Sequence, residues 1–220
     1  MRIRLPLVFI AIAASAVPVA AASDEGGVQQ LFDGKDTAGW EFLGRQPEQQ
    51  GFVVENGVLH TSEGKGILWY TREKIGNATI HVVYKMSNDK GNSGVFIRIP
   101  EPPQSENDAI NKGIEVQIDN RDNDWHCTGV LYSMTKALAR PYKPAGEWNT
   151  LDITLEGLRT IVKVNGTLVT DYDGKSPVPP KEKSYEPDRG PRPESGYIGL
   201  QKHDGEAVIS FKEISVHPLK

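Results

Sequence analysis

The stretch Gly113-Ile114-Glu115-Val116-Gln117-Ile118-Asp119-Asn120 alternates between apolar and polar residues. Ile114, Val116 and Ile118 are β-branched, and a period of two with such residues predicts a strand with one buried face. The other face then carries Glu115, Gln117 and Asp119 in a row, with no Lys, Thr or Ser among them. A row of acceptors suits a sugar, a metal ion or acid/base chemistry; a plain solvated sheet face is the alternative.

The same rhythm extends in both directions. Further strands are predicted at 53–60, 66–71, 77–86, 94–99, 129–132, 148–155, 160–164, 167–170, 196–201 and 207–217. No segment keeps a helical period over three turns. Asn56-Gly57 and Asn165-Gly166 are hairpin signals, because both central residues of a type I′ turn need positive φ. About eleven strands imply an all-β fold, a jelly-roll sandwich of two packed antiparallel sheets. Two proline-rich stretches, 100–112 and 174–195, interrupt the pattern. Proline removes a ladder donor, so both are predicted to be long loops, and long loops in compact domains often bind ligands or act as lids.

The N-terminus reads as a secretory signal peptide over 1–22: Arg2 and Arg4, an apolar run from Leu5 to Val19, then Ala20-Ala21-Ala22. The remaining 23–220 fits a single domain. The net charge is −4, and losing Arg2 and Arg4 leaves the mature chain more acidic still. That balance argues against nucleic acid or anionic lipid as partners. No later stretch is apolar enough to insert into a membrane. Cys127 is the single cysteine, so no intrachain disulfide exists, and it is expected to be a small buried residue.

Polar clusters recur at predicted strand ends. Asn92 lies in Gly91-Asn92-Ser93-Gly94, which leads into a strand whose alternation puts Arg98 on a sheet face. A guanidinium there is costly unless it is paired or faces a ligand, and Glu115 or Asp119 on a neighbouring strand is the candidate partner. Asp124-Trp125-His126 precedes Tyr132; Trp125 and Tyr132 can stack on a sugar ring, and His126 titrates near neutral pH. Gln201 and His203 close another predicted strand. No cofactor is fixed by these patterns. A divalent metal is a candidate, with Glu115, Asp119 and His126 as its potential ligands. Phosphate loops, dinucleotide fingerprints and the Gly-x-Ser-x-Gly elbow are absent from the sequence.

Taken in order, Leu31-Phe32-Asp33-Gly34-Lys35-Asp36, Gly39-Trp40, Val54-Glu55-Asn56-Gly57-Val58-Leu59, Gly91-Asn92-Ser93-Gly94 with Arg98, Gly113 to Asp119, Gly129 to Tyr132, Pro144 to Asn149 and Gly199-Leu200-Gln201-Lys202-His203 resemble the 3-keto-disaccharide hydrolase family. The resemblance runs from about Leu31 to Leu219. It implies a concanavalin A-like sandwich and an exported bacterial enzyme, periplasmic or secreted. Its substrate would be a small-molecule 3-keto glycoside, cleaved by elimination across C1–C2 and hydration. Glu115, His203, Arg98 and Asp119 are then the expected catalytic groups. Gln117, Trp125, His126, Tyr132, Asn92 and Gln201 are expected to bind substrate. Two other readings stand beside it. One is a lectin-like module that binds glycans without turnover. The other is a laminarinase-type glycosidase using Glu115 and Asp119, spaced i and i+4 on one strand. The catalytic reading requires the carboxylates, the guanidinium and an imidazole to meet in one concave hollow.

Overall fold

The computed structural model describes residues 27–46, 48–121, 123–203, 205 and 207–219; the leader expected at 1–22 lies outside them. The described residues form thirteen strands and one short helix. In chain order they are β1 (Gln29–Phe32), β2 (Trp40–Gly44), β3 (Phe52–Glu55), β4 (Val58–Thr61), β5 (Gly66–Tyr70), β6 (Ala78–Met86), β7 (Ser93–Ile99), α1 (Glu106–Lys112), β8 (Ile114–Ile118), β9 (Asn149–Glu156), β10 (Arg159–Val164), β11 (Thr167–Tyr172), β12 (Tyr197–Lys202) and β13 (Ile209–Pro218).

The strands divide into two antiparallel sheets. The larger runs β11-β10-β9-β6-β13-β4-β3, with β1 also paired to β13; the smaller runs β2-β5-β12-β7-β8. Their inner faces meet in one apolar core. Ile114, Val116 and Ile118 of β8 point into it beside Val95 and Ile97 of β7, all buried. The architecture is an all-β jelly-roll sandwich. Cys127 is also buried in the core.

Turn chemistry follows the sequence at both Asn-Gly sites: φ is 51° at Asn56 and 80° at Gly57, then 49° at Asn165 and 79° at Gly166. The predicted strand 53–60 is therefore a hairpin, β3 and β4. The predicted strand 129–132 does not form. Gly129 has φ 91° and only Leu131 makes an isolated bridge, to Val116. The segment still satisfies the outer edge of β8: Gly129 N donates to Gln117 O, Gln117 N to Val130 O, and Tyr132 N to Glu115 O. An irregular loop thus covers an exposed edge. The short strands β1 and β2 were not predicted, nor was α1, which lies inside the proline-rich stretch 100–112. Ser105 caps that helix by accepting from Asp108 N at 3.3 Å, and Asp108 pairs with Lys112 at 2.7 Å one turn on.

Candidate active site

Strand alternation places the site on the outer face of the smaller sheet. Glu115 lies opposite Phe96, which lies opposite Gly199, which lies opposite Trp69. One register step along, Gln117 faces Gly94, and Gln201 faces Ile67. Half of this floor is apolar: Ile67, Trp69, Phe96 and Ile99 pack under Ala109 of α1. The polar row borders that apolar patch.

Above the row opens a cleft of about 320 Å³. Glu115, Gln117 and Gln201 rise from its floor, with Asn92 just before β7. Glu106 and Ile110 of α1 form one wall. Lys65 and Arg45 form a basic side, and Tyr132, Tyr185 and His203 complete the rim.

Glu115 is the distinctive group. It is only 8% exposed. Burial pushes its carboxyl up to about 8, the nearby Glu106 charge adds to the rise, and Lys65 opposes it. Its pose depends on a glycine: a Cβ at Gly94 would lie 2.3 Å from Glu115 Oε1 and 2.6 Å from its Cγ. Gln117 holds it from the side, since its amide nitrogen, turned towards acceptors, donates to Glu115 Oε1 and Ser93 O at 3.1 Å each.

Glu106 is 4% exposed, and its Oε2 accepts from Arg45 Nε at 3.0 Å. Its Oε1 has no hydrogen-bond partner, and neither does Gln201 Oε1. Trp69 Nε1, on the same sheet face, is a third buried polar atom without one. Buried polar atoms are seldom left unpaired, so the Glu106 and Gln201 oxygens, both in the cleft, are suited to a polar ligand.

The structure brings together Glu115, Gln117, Asn92, Gln201, Tyr132 and His203. It sends Arg98, Asp119, Trp125 and His126 elsewhere. Arg98 pairs with neither Glu115 nor Asp119, because its φ of 56° breaks the alternation of β7. The guanidinium swings to the far end of the sandwich. There it donates to Pro193 O at 2.8 Å, Gly157 O at 2.8 Å, Arg159 O at 3.0 Å and Thr160 Oγ1 at 3.4 Å. The same kink puts Ile99 on the face of Phe96, where regular alternation would have placed Arg98.

Asp119 accepts from Arg121 Nε and Nη2, at 3.0 and 2.7 Å, and from the Arg121 backbone N at 2.9 Å. Trp125 and His126 line a neighbouring cavity. The metal candidates Glu115, Asp119 and His126 therefore stand in three different environments. Among the described residues no group of three or more His, Cys, Asp or Glu is placed to hold a metal ion. Sequence reading missed Glu106, Lys65, Arg45 and Tyr185. The Ser105-x-x-Asp108 cap was the available signal for a helix carrying Glu106.

A jelly-roll sandwich with a polar cleft on one sheet face belongs to the concanavalin-like class. Within it, the chain belongs to the 3-keto-α-glucoside-1,2-lyase-like domain family, whose profile matches residues 27–217. It is 25% identical over 173 residues to the 3-keto-disaccharide hydrolase of Bacteroides thetaiotaomicron strain ATCC 29148, covering 68% of this chain and 59% of that protein. The crystal structure of a candidate glycosyl hydrolase from Parabacteroides distasonis ATCC 8503 superposes with a TM-score of 0.70 at 26% identity, covering 87% of this chain and 99% of that one. A Bacillus subtilis protein with a galectin-like fold aligns with a TM-score of 0.55 at 12% identity, covering 86% and 94%, which concerns the fold alone.

Proposed function

We propose that this chain is an exported enzyme that cleaves the glycosidic bond of 3-keto glycosides by elimination and hydration. The observation that carries the reading is Glu115, a buried carboxyl whose proton affinity is raised into the physiological range beside unpaired acceptors in a sugar-sized cleft. Family membership supports the substrate class.

A ketone at C3 acidifies the hydrogen on C2. Ionised Glu115 takes that proton, and a base with a pKa near the working pH is well matched to the transfer. The electron pair left on C2 forms the C1–C2 double bond as the C1–O bond breaks. His203, on the rim, protonates the departing oxygen. Lys65 stabilises the oxyanion that develops on the ketone. Gln117, Gln201 and Asn92 hold the hydroxyls. Water then adds across the enone, its oxygen to C1 and a proton to C2, so the net result is hydrolysis. Glu106, held by Arg45, keeps Glu115 basic by its charge. A periplasmic or secreted location follows from the leader read at 1–22. Among the described residues no helix is long and apolar enough to cross a membrane.

The test is incubation with a 3-keto glucoside, with and without chelator, following the enone absorbance and the incorporation of solvent deuterium at C2. Glu115→Gln is expected to lose about 10²–10⁴ of turnover. Wild-type turnover by that variant would end the proposal.

One observation favours a second reading. Glu106 and Glu115 face a single cleft, and paired carboxyls in different environments are also the equipment of glycosidases. The partner of Glu115 in that reading is Glu106, since Asp119 is engaged by Arg121. Cleavage of unoxidised glucans with no enone and no C2 exchange would select it.

A further inference from the structure

The proline-rich loop 174–195 grips the joint between α1 and β8. Carbonyls in the last turn of a helix have no partner within it. In α1 one of them, Asn111 O, accepts from Arg192 Nη2 at 3.0 Å and from Asp188 N at 3.1 Å. Arg192 Nε donates to Gly113 O, also at 3.0 Å, so one guanidinium spans the residues on either side of Lys112, where the helix ends. Lys181 Nζ adds a brace, donating to Asn111 Oδ1 at 3.2 Å and Asp188 Oδ1 at 2.8 Å. A cation at this end of a helix meets both its free carbonyls and its dipole.

The fork is set up in advance. Pro191 and Pro193 flank Arg192, and each fixes its own φ. Pro193 O is held in turn by Arg98 Nη1 at 2.8 Å, and Arg192 Nη2 returns to Asp188 O at 2.6 Å. Arg189 fastens the loop on another side, behind Tyr132, donating to Ser133 Oγ at 3.1 Å and Glu186 Oε2 at 3.2 Å.

The joint has little slack. Gly113 is wedged between α1 and β7: a Cβ there would lie 2.7 Å from Ala109 O and 3.0 Å from Ile99 Cγ1. Glu106 stands at the far end of α1, and Glu115 follows just beyond Gly113 in β8. The angle at the joint therefore sets how closely the Glu106 carboxyl faces Glu115 and how much water enters between them. The other polar groups that face Glu115 across the cleft are carried elsewhere. Lys65 is on the β4–β5 turn, Arg45 follows β2, His203 follows β12, Tyr132 lies in the loop along β8, and Tyr185 is on loop 174–195.

We propose that Arg192 is a positioning residue for the cleft: by holding the Asn111 and Gly113 carbonyls it fixes the joint between α1 and β8, and so keeps Glu106 against Glu115. The proposal rests on Glu115 being the base of the cleft. It gives the proline-rich loop a part in the reaction without contact between Arg192 and substrate.

The test is a carboxyl-carbon NMR titration of the full chain labelled at glutamate Cδ, with the Glu115 signal assigned by its loss in Glu115→Gln. The wild-type midpoint is expected near 8. Arg192→Met frees both carbonyls and is expected to lower that midpoint by about one pH unit or more, since added water and a more distant Glu106 act in the same direction. Arg192→Lys keeps the charge but loses the fork, so a smaller drop is expected, and this variant decides where Arg192→Met does not fold. Arg189→Met releases the Ser133 side and is expected to leave the midpoint within about 0.3 pH units. An unmoved midpoint in the deciding Arg192 variant, an equal drop in Arg189→Met, or a wild-type midpoint at the ordinary carboxylate value overturns the proposal. Plain loss of stability lowers the melting temperature and leaves the midpoint in place, so the titration separates positioning from structural support. Failure of the cleft reading shows differently, as wild-type protein that forms no product from a 3-keto glucoside. The Arg192 comparison still decides in that case because it reads the carboxyl and not the reaction.

Discussion

Replacing Glu115 by Gln removes a charge at nearly constant shape, and its effect on stability is set by pH. Glu115 titrates near 4.5 when unfolded and near 8 when folded. Between those values the folded chain holds a proton that the unfolded chain has lost, so wild-type stability falls as pH rises through the interval. Above about 8 both states are ionised and the burial penalty is constant. At about 1.4 kcal/mol for each tenfold change in proton affinity, the interval sets a ceiling on the order of 5 kcal/mol. Water reaching the cleft makes several kcal/mol the realistic expectation. Gln117 retains an acceptor in the variant. The wild-type curve alone does not isolate this effect. His81, on the outer face of the larger sheet, has its pKa raised mainly by its hydrogen bond to Asp152 at 2.5 Å. That contribution is complete below the unfolded value of about 6.5 and is lost as pH rises through the folded one. Both groups thus push stability in the same direction. The informative quantity is the difference between Glu115→Gln and wild type in urea unfolding at pH 5, 6, 7, 8 and 9. It is expected to be near zero at pH 5, to grow in favour of the variant, and to level off above pH 8. Parallel curves would show that the Glu115 carboxyl pays no burial penalty and would remove the physical basis of the catalytic assignment.

Four further perturbations have defined outcomes. Glu106→Gln removes a negative charge beside Glu115, so the acid limb of the kcat/KM profile is expected to move to lower pH; an unmoved limb would show that Glu106 does not influence the base. Gly94→Ala drives a Cβ into Glu115 and is expected to cost about 1–3 kcal/mol in denaturant unfolding, with a larger loss in kcat than in KM. Arg98→Met leaves the Pro193, Gly157 and Arg159 carbonyls without their donor and is expected to cost about 3 kcal/mol or more, and the acid limb of the folded protein's pH–rate profile is expected to move to lower pH as the bed beneath α1 loosens. Asp119→Asn weakens the pair with Arg121; turnover is expected to stay within about threefold of wild type, and a loss near that of Glu115→Gln would return Asp119 to the mechanism.

The sandwich was legible because alternation is local. Ile114, Val116 and Ile118 declare a buried face whatever surrounds them, and two Asn-Gly pairs declare their turns through φ alone. Six of the expected site residues line the cleft, since Glu115 and Gln117 share a face, Gln201, His203 and Asn92 sit at strand ends that one sheet gathers, and Tyr132 lies in the loop paired along β8. Arg98 shows where this reasoning stops. Parity along β7 put it beside Glu115, but a single residue at positive φ reverses parity for everything beyond it, and no residue type at position 98 signals that change. The placement of Glu106 and Tyr185 was illegible for another reason. It is fixed by contacts remote in sequence: Ala109 seats α1 on Phe96 and Ile99, and the Arg189 fork onto Ser133 ties down the loop that carries Tyr185.

The kink at Arg98 connects these failures to the chemistry. Holding an arginine at φ 56° costs energy, on the order of 1–3 kcal/mol, and the carbonyls that receive the guanidinium offset it. Gly196 must be glycine for the same reason, since a Cβ there would lie 2.4 Å from the Arg98 carbonyl carbon. What the kink yields is Ile99 on the outer face, completing with Phe96 and Trp69 the apolar bed on which Ala109 seats α1. Without that bed the helix would not hold Glu106 at the cleft, and the floor beside Glu115 would admit more water. A carboxyl in a wetter, less apolar setting titrates closer to its ordinary value. Arg98 therefore supports the raised proton affinity of Glu115 from the opposite end of the strand, through packing alone and without touching the cleft.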